Sequence, residues 1–174
     1  MDLMRNKINS ETEIKHSVPL LSFFTGGGFL DIGFVKAGFK IVWANEYNNV
    51  FAYMYEFAMS SMKKQFRDGK ILKRISDNRS IEDINPKEII KNAFPGGRPE
   101  LFGIIGGPPC PDFSSGGKHR GHEGDYGRLS KTFVEHICAI KPSFFVFENV
   151  HGLLRTEKHR AFLEALEKQL QEAN

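Results

Sequence analysis

The sequence has few cysteines, little net charge and no long apolar run, and the scarcity of cysteine and of apolar runs each excludes a class of protein. Its two cysteines, Cys110 and Cys138, are too few for a disulfide framework or a cysteine-rich metal site, and we expect no bound metal. No apolar run is long enough to cross a bilayer, so we expect no membrane partner. The net charge of +3 neither requires nor excludes a nucleic-acid partner.

The composition is that of an ordinary globular protein, with 40% apolar and 26% charged residues in a chain of 174. The polar start lacks the apolar core of a signal peptide, which favours a cytoplasmic location. We interpret residues 1–18 as an N-terminal arm and residues 19–174 as one domain.

Short apolar runs alternate with amphipathic segments. Strands are predicted at 19–24, 40–44, 101–105 and 143–147, and helices at 29–37, about 50–62, about 129–140 and from 156 onward. We expect the last strand to be buried. One face of the second helix is predicted to be marked by Val50, Met54, Phe57, Ala58 and Met62. The alternation predicts an α/β fold, a mostly parallel sheet with helices on both faces. In such sheets ligands bind beyond the carboxyl ends of the strands.

Chemically distinctive residues follow the first two predicted strands. The turn from Phe24 to Gly28 lets the backbone approach a cofactor closely, although some glycine turns are only tight turns. Glu46 matches the acid that binds ribose hydroxyls in nucleotide-binding folds; it can equally be a solvated loop carboxylate. Tyr47 is placed to cover an adenine ring or simply to pack, and Asp83 is a weaker candidate in a polar turn.

Cys110 is the strongest single signal, because it lies between Pro109 and Pro111 at the end of a strand. Proline rings fix the backbone, and a rigidly placed thiol suits a nucleophile. No second cysteine or histidine lies at ligand spacing on this loop, which argues against a metal. Cys138, on an apolar helical stripe, is expected only to pack.

Glu148 and Asn149 end the last predicted strand. A carboxylate at an apolar strand end can have its pKa raised by desolvation and donate a proton, or it can be an ordinary capping group. The basic stretch that includes Lys118 and Arg120 is either a solvated face or a phosphate contact.

Taken together, these residues make the chain resemble the C5-cytosine methyltransferases, which transfer a methyl group from S-adenosylmethionine to cytosine. The matching stretches, in the family's order, are 24–28, 45–47, 83–84, 107–110 with 113–114, 125–129 and 148–150. The pairing of Pro-Pro-Cys with Glu-Asn-Val is highly specific.

The resemblance implies an α/β, Rossmann-like, S-adenosylmethionine-dependent methyltransferase fold that is incomplete at its C-terminus. It also implies a set of cofactor-binding residues: Phe24, Thr25, Gly26, Gly28, Glu46, Tyr47, Asp83, Ile84 and Pro108.

The implied reaction uses Cys110 and Glu148. Cys110 would attack C6 of a cytosine flipped out of double-stranded DNA, and Glu148 would hydrogen-bond or protonate N3. The loop 114–124 would close over the DNA. The substrate-facing residues would be Ser114, Lys118, Arg120 and Asn149.

The chain also departs from the family pattern. Pro111 stands where glutamine is most often found, Ser22 where an aspartate is common, and Phe29 where a glycine is frequent. The target-recognition region and other later family segments are not found within these 174 residues. The sequence therefore predicts a fragment or one part of a split DNA cytosine-5 methyltransferase of bacterial restriction–modification type, weak or inactive alone. Its expected partners are DNA and a second polypeptide carrying the missing region.

Two alternatives remain open on the sequence. One is an RNA cytosine-C5 methyltransferase of the same family, and the other is a non-catalytic subunit that keeps the cofactor fold. Retention of both Cys110 and Glu148 argues against the second.

Overall fold

A computed structural model of the chain describes residues 17–62, 66–67, 70–71, 74–109, 125–154 and 157–173. Most of the predicted N-terminal arm and the loop that contains Cys110 lie outside the described residues. Among the helices that are described, none combines the length and the apolarity needed to cross a membrane.

Strands and helices alternate as the sequence predicts. The strands are β1 (Pro19–Phe23), β2 (Lys40–Asn45), β3 (Phe66–Arg67), β4 (Lys70–Ile71), β5 (Ser76–Asp77), β6 (Gly103–Gly106) and β7 (Phe144–Phe147). The helices are α1 (Phe29–Lys36), α2 (Asn49–Met62), α3 (Pro86–Ala93), α4 (Asp125–Ile140) and α5 (Glu157–Glu172). Short 3₁₀ helices cover Ile81–Asp83 and His151–Leu154.

Within the described residues, the main sheet has five strands in the order β5-β2-β1-β6-β7. All of its strand pairs are parallel, whereas β3 and β4 form a separate antiparallel pair. The chain builds outward from β1 to β5 and then returns to the other side of β1 as β6. Ligands bind at such a switch point, beyond the carboxyl ends of the strands. The predicted α/β fold is confirmed.

Apolar residues on both faces of the sheet form the two halves of the core. Leu20 and Ile105 pack on one face with Tyr55 and Met59 of α2. Leu21 belongs to the cluster on the opposite face, because neighbouring strand residues point to opposite sides. The other members of that cluster include Phe23, Ile89, Ile104, Phe133 and Ile137. Helices therefore cover both faces and leave the carboxyl edge of the sheet accessible.

The apolar stripe predicted on α2 faces outward. Val50 is 67% exposed and Met54 is 52% exposed, whereas Tyr55, Glu56 and Met59 are buried. The buried side is partly polar, since Glu56 accepts hydrogen bonds from the backbone N–H groups of the chain entering β5. The sequence pattern identifies the helix face that has the most apolar residues. The face that is actually buried contains Tyr55 and Glu56, whose polar atoms are hydrogen-bonded inside the protein, so the pattern indicates the wrong face.

The last strand, β7, is less buried than the sequence predicts. Phe145 and Val146 are each 37% exposed. The reason is the strand order: β7 is an edge strand, and the described residues place no strand beyond it.

Two glycine substitutions test the packing of the sheet. A Cβ at Gly103 would overlap the Phe144 ring and lie 2.8 Å from Leu20 Cδ2, whereas a Cβ at Gly33 would have no neighbour within 4 Å. We expect Gly103→Ala to lower the free energy of unfolding by about 1–3 kcal/mol through overpacking. Gly33→Ala, at an exposed position of helix α1, should raise it by up to about 1 kcal/mol. Urea unfolding of both variants measures the difference, and equal effects would contradict the described packing.

Candidate active site

A cleft of about 670 Å³ lies at the carboxyl edge of the sheet. This volume is in the range of small-molecule and cofactor sites. Its lining combines the glycine turn, the end of β2, the 3₁₀ turn after β5, the segment after β6 and the start of α4. The lining residues are Phe24, Gly26, Asn45, Glu46, Tyr47, Asn48, Phe51, Ser80, Ile81, Glu82, Gly107, Pro109, Arg128 and Leu129.

The glycine turn after β1 forms one wall of the cleft. Gly26 has φ 52° and Gly28 has φ 87°, values in the left-handed region that favours glycine. The turn is closed by the Gly28 N–H, which donates to Thr25 O at 2.8 Å. A Cβ on Gly26 would meet no atom within 4 Å, so the missing side chain leaves open space at the cleft. The predicted close approach of a ligand to this backbone is sterically possible.

Glu46 joins the glycine turn to the end of β2. Its Oε2 accepts a hydrogen bond from Gly26 N at 2.8 Å, and its Oε1 accepts one from Asn48 N at 2.8 Å. A carboxylate has about four lone-pair sites, so each oxygen can still accept a second hydrogen bond, such as one from a hydroxyl. Glu46 is half-buried in the cleft wall. It is therefore more than a solvated loop carboxylate.

Aromatic residues form the apolar part of the cleft. Tyr47 is 72% exposed and Phe51 is 47% exposed, both at the rim. Phe24 packs edge-on against Phe133 of α4, with ring centroids 5.8 Å apart. This arrangement offers flat apolar surfaces beside the carboxylate of Glu46, which suits a ligand with both a ring and hydroxyl groups.

The opposite wall is closed by an ion pair between the 3₁₀ turn and α4. Arg128 Nε lies 3.1 Å from Glu82 Oε1, and both residues line the cleft. Asp83, the predicted cofactor residue of this turn, is exposed and does not line the cleft, and Ile84 is buried in the core.

His136 of α4 makes a hydrogen-bond contact with the segment that forms this wall. It is 6% exposed, and its Nε2 lies 2.9 Å from the Ile84 carbonyl oxygen. Its Nδ1 lies 2.9 Å from the Thr132 carbonyl oxygen. A carbonyl can only accept, so the imidazole donates through whichever nitrogen carries a proton, and only the doubly protonated ring can donate to both. His136 thereby ties the Ser80–Ile84 segment to α4.

The ends of β6 and β7 bring Glu148 beside the backbone that leads to Cys110. The Glu148 N–H donates to Gly106 O at 2.9 Å, which extends the parallel ladder by one residue. A Cβ on Gly107 would lie only 2.6 Å from Glu148 Oε2. The carboxylate of Glu148, an exposed residue, therefore lies directly beside the Gly107 backbone.

The segment after Gly107 enters the cleft and then leaves the described part of the chain. Pro108 is buried and does not line the cleft, whereas Pro109 is exposed and does. Cys110 follows directly but lies outside the described residues. The same holds for the predicted DNA-contacting residues Ser114, Lys118 and Arg120.

Two predicted site residues carry buried polar atoms without a partner among the described residues. They are the Oγ1 of Thr25, which is 9% exposed, and the Nδ2 of Asn149. The Oδ1 of Asn149 accepts from Val150 N at 2.8 Å. Buried donors are usually paired, so the Asn149 amide retains a hydrogen-bonding capacity that no described group uses.

The structure thus groups four predicted cofactor residues in the cleft: Phe24, Gly26, Glu46 and Tyr47. Thr25 and Gly28 belong to the same turn, although they do not line the cleft. Phe51, Glu82 and Arg128 also line the cleft and were not among the predicted site residues. For Arg128 a signal existed, since it lies in the 125–129 stretch that matches the family.

The strand order, the glycine turn and the acid at the end of β2 define a Rossmann-like fold with a cofactor-type cleft. A model of the C-5 cytosine-specific DNA methylase family matches residues 18–174. The chain therefore belongs to this family.

Two type II methyltransferases from Neisseria are similar to this chain. M.NmeDI of Neisseria meningitidis serogroup C is 42% identical over 157 residues, which cover 87% of this chain and 36% of that protein. M.NgoFVII of Neisseria gonorrhoeae is 34% identical, with 94% of this chain and 38% of that protein covered. The chain thus spans little more than a third of the length of either relative.

A solved structure supports the fold assignment. It is described as a DNA modification methyltransferase encoded within a prophage of E. coli. The two superpose with a TM-score of 0.66 at 26% identity, over 90% of this chain and 38% of the other. The Rossmann-like fold predicted from the sequence is confirmed.

Replacing His136 tests the support of the cleft wall. We expect His136→Leu to lower the free energy of unfolding by about 1–3 kcal/mol, because a buried hydrogen bond is lost and a carbonyl is left unpaired. Hydrogen–deuterium exchange should increase in residues 80–85 in particular.

The matched control is His151→Leu, at an exposed histidine. It should leave both the stability and the exchange of this segment unchanged. Equal exchange in the two variants would show that His136 does not hold the wall.

Proposed function

We propose that this protein carries the cofactor cleft and the nucleophile of a bacterial DNA cytosine-5 methyltransferase of restriction–modification type. The observation that carries the proposal is the meeting of two features at one edge of the sheet. The cleft built on Gly26 and Glu46 also contains Pro109, the residue before Cys110, and Glu148 rests on the Gly107 backbone beside it. The type II relatives support the same reaction class.

The residues of the cleft fit S-adenosylmethionine. Open space beside Gly26 admits a ligand against the backbone, and Glu46 has lone pairs left for ribose hydroxyls. Tyr47 and Phe51 supply aromatic surface for the adenine. When bound, S-adenosylmethionine supplies an electrophilic methyl group on a sulfonium sulfur.

Cys110 would be the nucleophile. Its sulfur adds to C6 of a cytosine flipped out of the DNA, and the C5–C6 π electrons make C5 nucleophilic. C5 would then take the methyl group as its bond to the sulfonium sulfur breaks, and S-adenosylhomocysteine would leave. Loss of the C5 proton to a base expels the cysteine sulfur from C6 and restores the aromatic ring, so the enzyme is unchanged.

Glu148 would assist the addition by donating a proton or hydrogen bond to N3 of the cytosine. Negative charge would otherwise accumulate on the ring as the sulfur adds. A positioned acid of this kind contributes about 10²–10⁴-fold to a rate. What supports this role is the contact of Glu148 with the Gly107 backbone, three residues before Cys110.

We further propose that sequence beyond these 174 residues supplies the target-recognition region, in the same polypeptide or in a second one. Two apolar surfaces support the need for a further partner. They are the outward side of α2, with Val50 and Met54, and the edge strand β7, with Phe145 and Val146. The assembled enzyme would act on double-stranded DNA in the bacterial cytoplasm, with Lys118 and Arg120 contacting phosphates.

Covalent trapping tests the proposed reaction. The protein, combined with its target-recognition region and S-adenosylmethionine, is incubated with duplex DNA in which 5-fluorocytosine replaces cytosine. Fluorine at C5 cannot leave as a proton does, so the Cys110 adduct should persist and migrate as a protein–DNA complex under denaturing conditions. Glu148→Gln should slow its formation by about 10²–10⁴-fold.

Cys110→Ala should abolish the adduct, whereas Cys138→Ser should not, because Cys138 lies on α4 and belongs to neither the cleft nor the Cys110 loop. Absence of an adduct with the wild-type protein, or an adduct that survives Cys110→Ala, would contradict the proposal. Trapping on fluorinated RNA but not on DNA would favour the RNA alternative.

A further inference from the structure

A buried hydrogen-bonded network lies beneath the glycine turn and uses three side chains from three elements. The Ser22 hydroxyl of β1 donates to Asp31 Oδ1 at 2.7 Å. The Tyr55 hydroxyl of α2 donates to Asp31 Oδ2, also at 2.7 Å. Asp31 lies in the first turn of α1. Exposure is 1% for Ser22 and 0% for Asp31 and Tyr55, so the network is closed to solvent.

The three residues surround the turn. Ser22 lies two residues before Phe24, where the turn begins, and Asp31 lies three residues after Gly28, where it ends. The ring of Tyr55 lies directly against Gly28, since a Cβ there would be 2.9 Å from Tyr55 Cδ2. The network therefore fixes strand β1 before the turn and helix α1 after it. It also fixes Gly28, whose backbone lies in the left-handed region.

Burying such a polar network in the core costs desolvation free energy. Removing a carboxylate from water is unfavourable unless it is hydrogen-bonded, and apolar side chains of similar volume often give equal or greater stability. Hydrogen bonds add direction, because each one fixes the angle and distance between two elements. Here they fix α1 and α2 relative to β1, and α1 begins at the turn that lines the cleft.

The tyrosine keeps its proton under all ordinary conditions. Burial, and secondarily the negative charge of Asp31, raise the pKa of Tyr55 well above its usual value. The phenol is therefore a hydrogen-bond donor to Asp31 at physiological pH.

We propose that Ser22, Asp31 and Tyr55 are positioning residues for the cofactor: they hold the Gly26–Gly28 turn in its binding conformation without touching the ligand. This inference rests on the proposed function. The network sets the position of Gly26 N, which in turn donates to Glu46. Loosening the network thus disturbs both the turn and the carboxylate that would bind the ribose.

Two conservative variants test the proposal against matched controls. Tyr55→Phe removes only the hydroxyl, and its control is Tyr53→Phe on the same helix, where Tyr53 is 58% exposed. Ser22→Ala is compared with Ser143→Ala, whose hydroxyl donates to Glu100 O far from the cleft. The readouts are amide hydrogen exchange of residues 24–32 and the Kd of S-adenosylhomocysteine by calorimetry, at a temperature where every variant is folded.

We expect Tyr55→Phe and Ser22→Ala to raise exchange in the turn and to weaken binding of S-adenosylhomocysteine by about 5–10-fold, the worth of one hydrogen bond. The two controls should change neither readout. Exchange and affinity equal to those of the controls would overturn the proposal. If the wild-type protein does not bind S-adenosylhomocysteine, the proposed function is contradicted, and the exchange comparison still decides whether the network holds the turn.

A charge exchange within the network gives a rescue test. Ser22→Asp would place a second carboxylate against Asp31, and the repulsion should loosen the turn and weaken binding more than Ser22→Ala does. Adding Asp31→Asn supplies a donor for the new carboxylate and keeps an acceptor for the Tyr55 hydroxyl. The double variant should therefore recover affinity relative to Ser22→Asp, and no recovery would count against the proposed pairing.

Discussion

The candidate site depends on the carboxylate of Glu46, which fastens two loops at the carboxyl edge of the sheet. It accepts the Gly26 N–H from the turn after β1 and the Asn48 N–H from the turn after β2. Parallel pairing brings these two strand ends side by side, with Phe23 opposite Asn45. The sheet therefore brings the two turns close together, and the hydrogen bonds of Glu46 fix their relative position. Each carboxylate oxygen can still accept a second hydrogen bond from a ligand.

The same edge of the sheet also places Glu148 and Pro109 beside the cleft. Since β6 and β7 are parallel neighbours, Gly106 and Phe147 pair, and the residues after them leave the sheet together. Glu148 consequently lies on the Gly107 backbone, while Pro109 reaches the cleft wall. The proposed cofactor site and the proposed proton donor can be combined because both are built on strand ends at the same edge of the sheet. Helices on the two faces, with Tyr55 and His136 behind the cleft walls, keep these ends in place.

Much of this arrangement could be predicted from the sequence, because strand ends carry the distinctive residues and a parallel sheet collects them at one edge. The strands, the glycine turn and Glu46 follow from local patterns. What could not be predicted depends on three-dimensional pairing. The apolar stripe with Val50 and Met54 faces outward because α2 buries a tyrosine and a glutamate whose polar atoms are paired. Likewise, the Arg128–Glu82 ion pair joins residues far apart in the chain, and no spacing rule connects them.

The most direct measurement of the central claim is a calorimetric titration of the protein with S-adenosylmethionine, comparing wild type with Glu46→Ala. The control is Glu164→Ala, at an exposed position on α5. Loss of the carboxylate removes both its bonds to the loops and its capacity for the ribose, so affinity should fall by at least about tenfold, as for the loss of charged hydrogen bonds. The control should bind as wild type does. Equal affinity of Glu46→Ala and wild type would contradict the account.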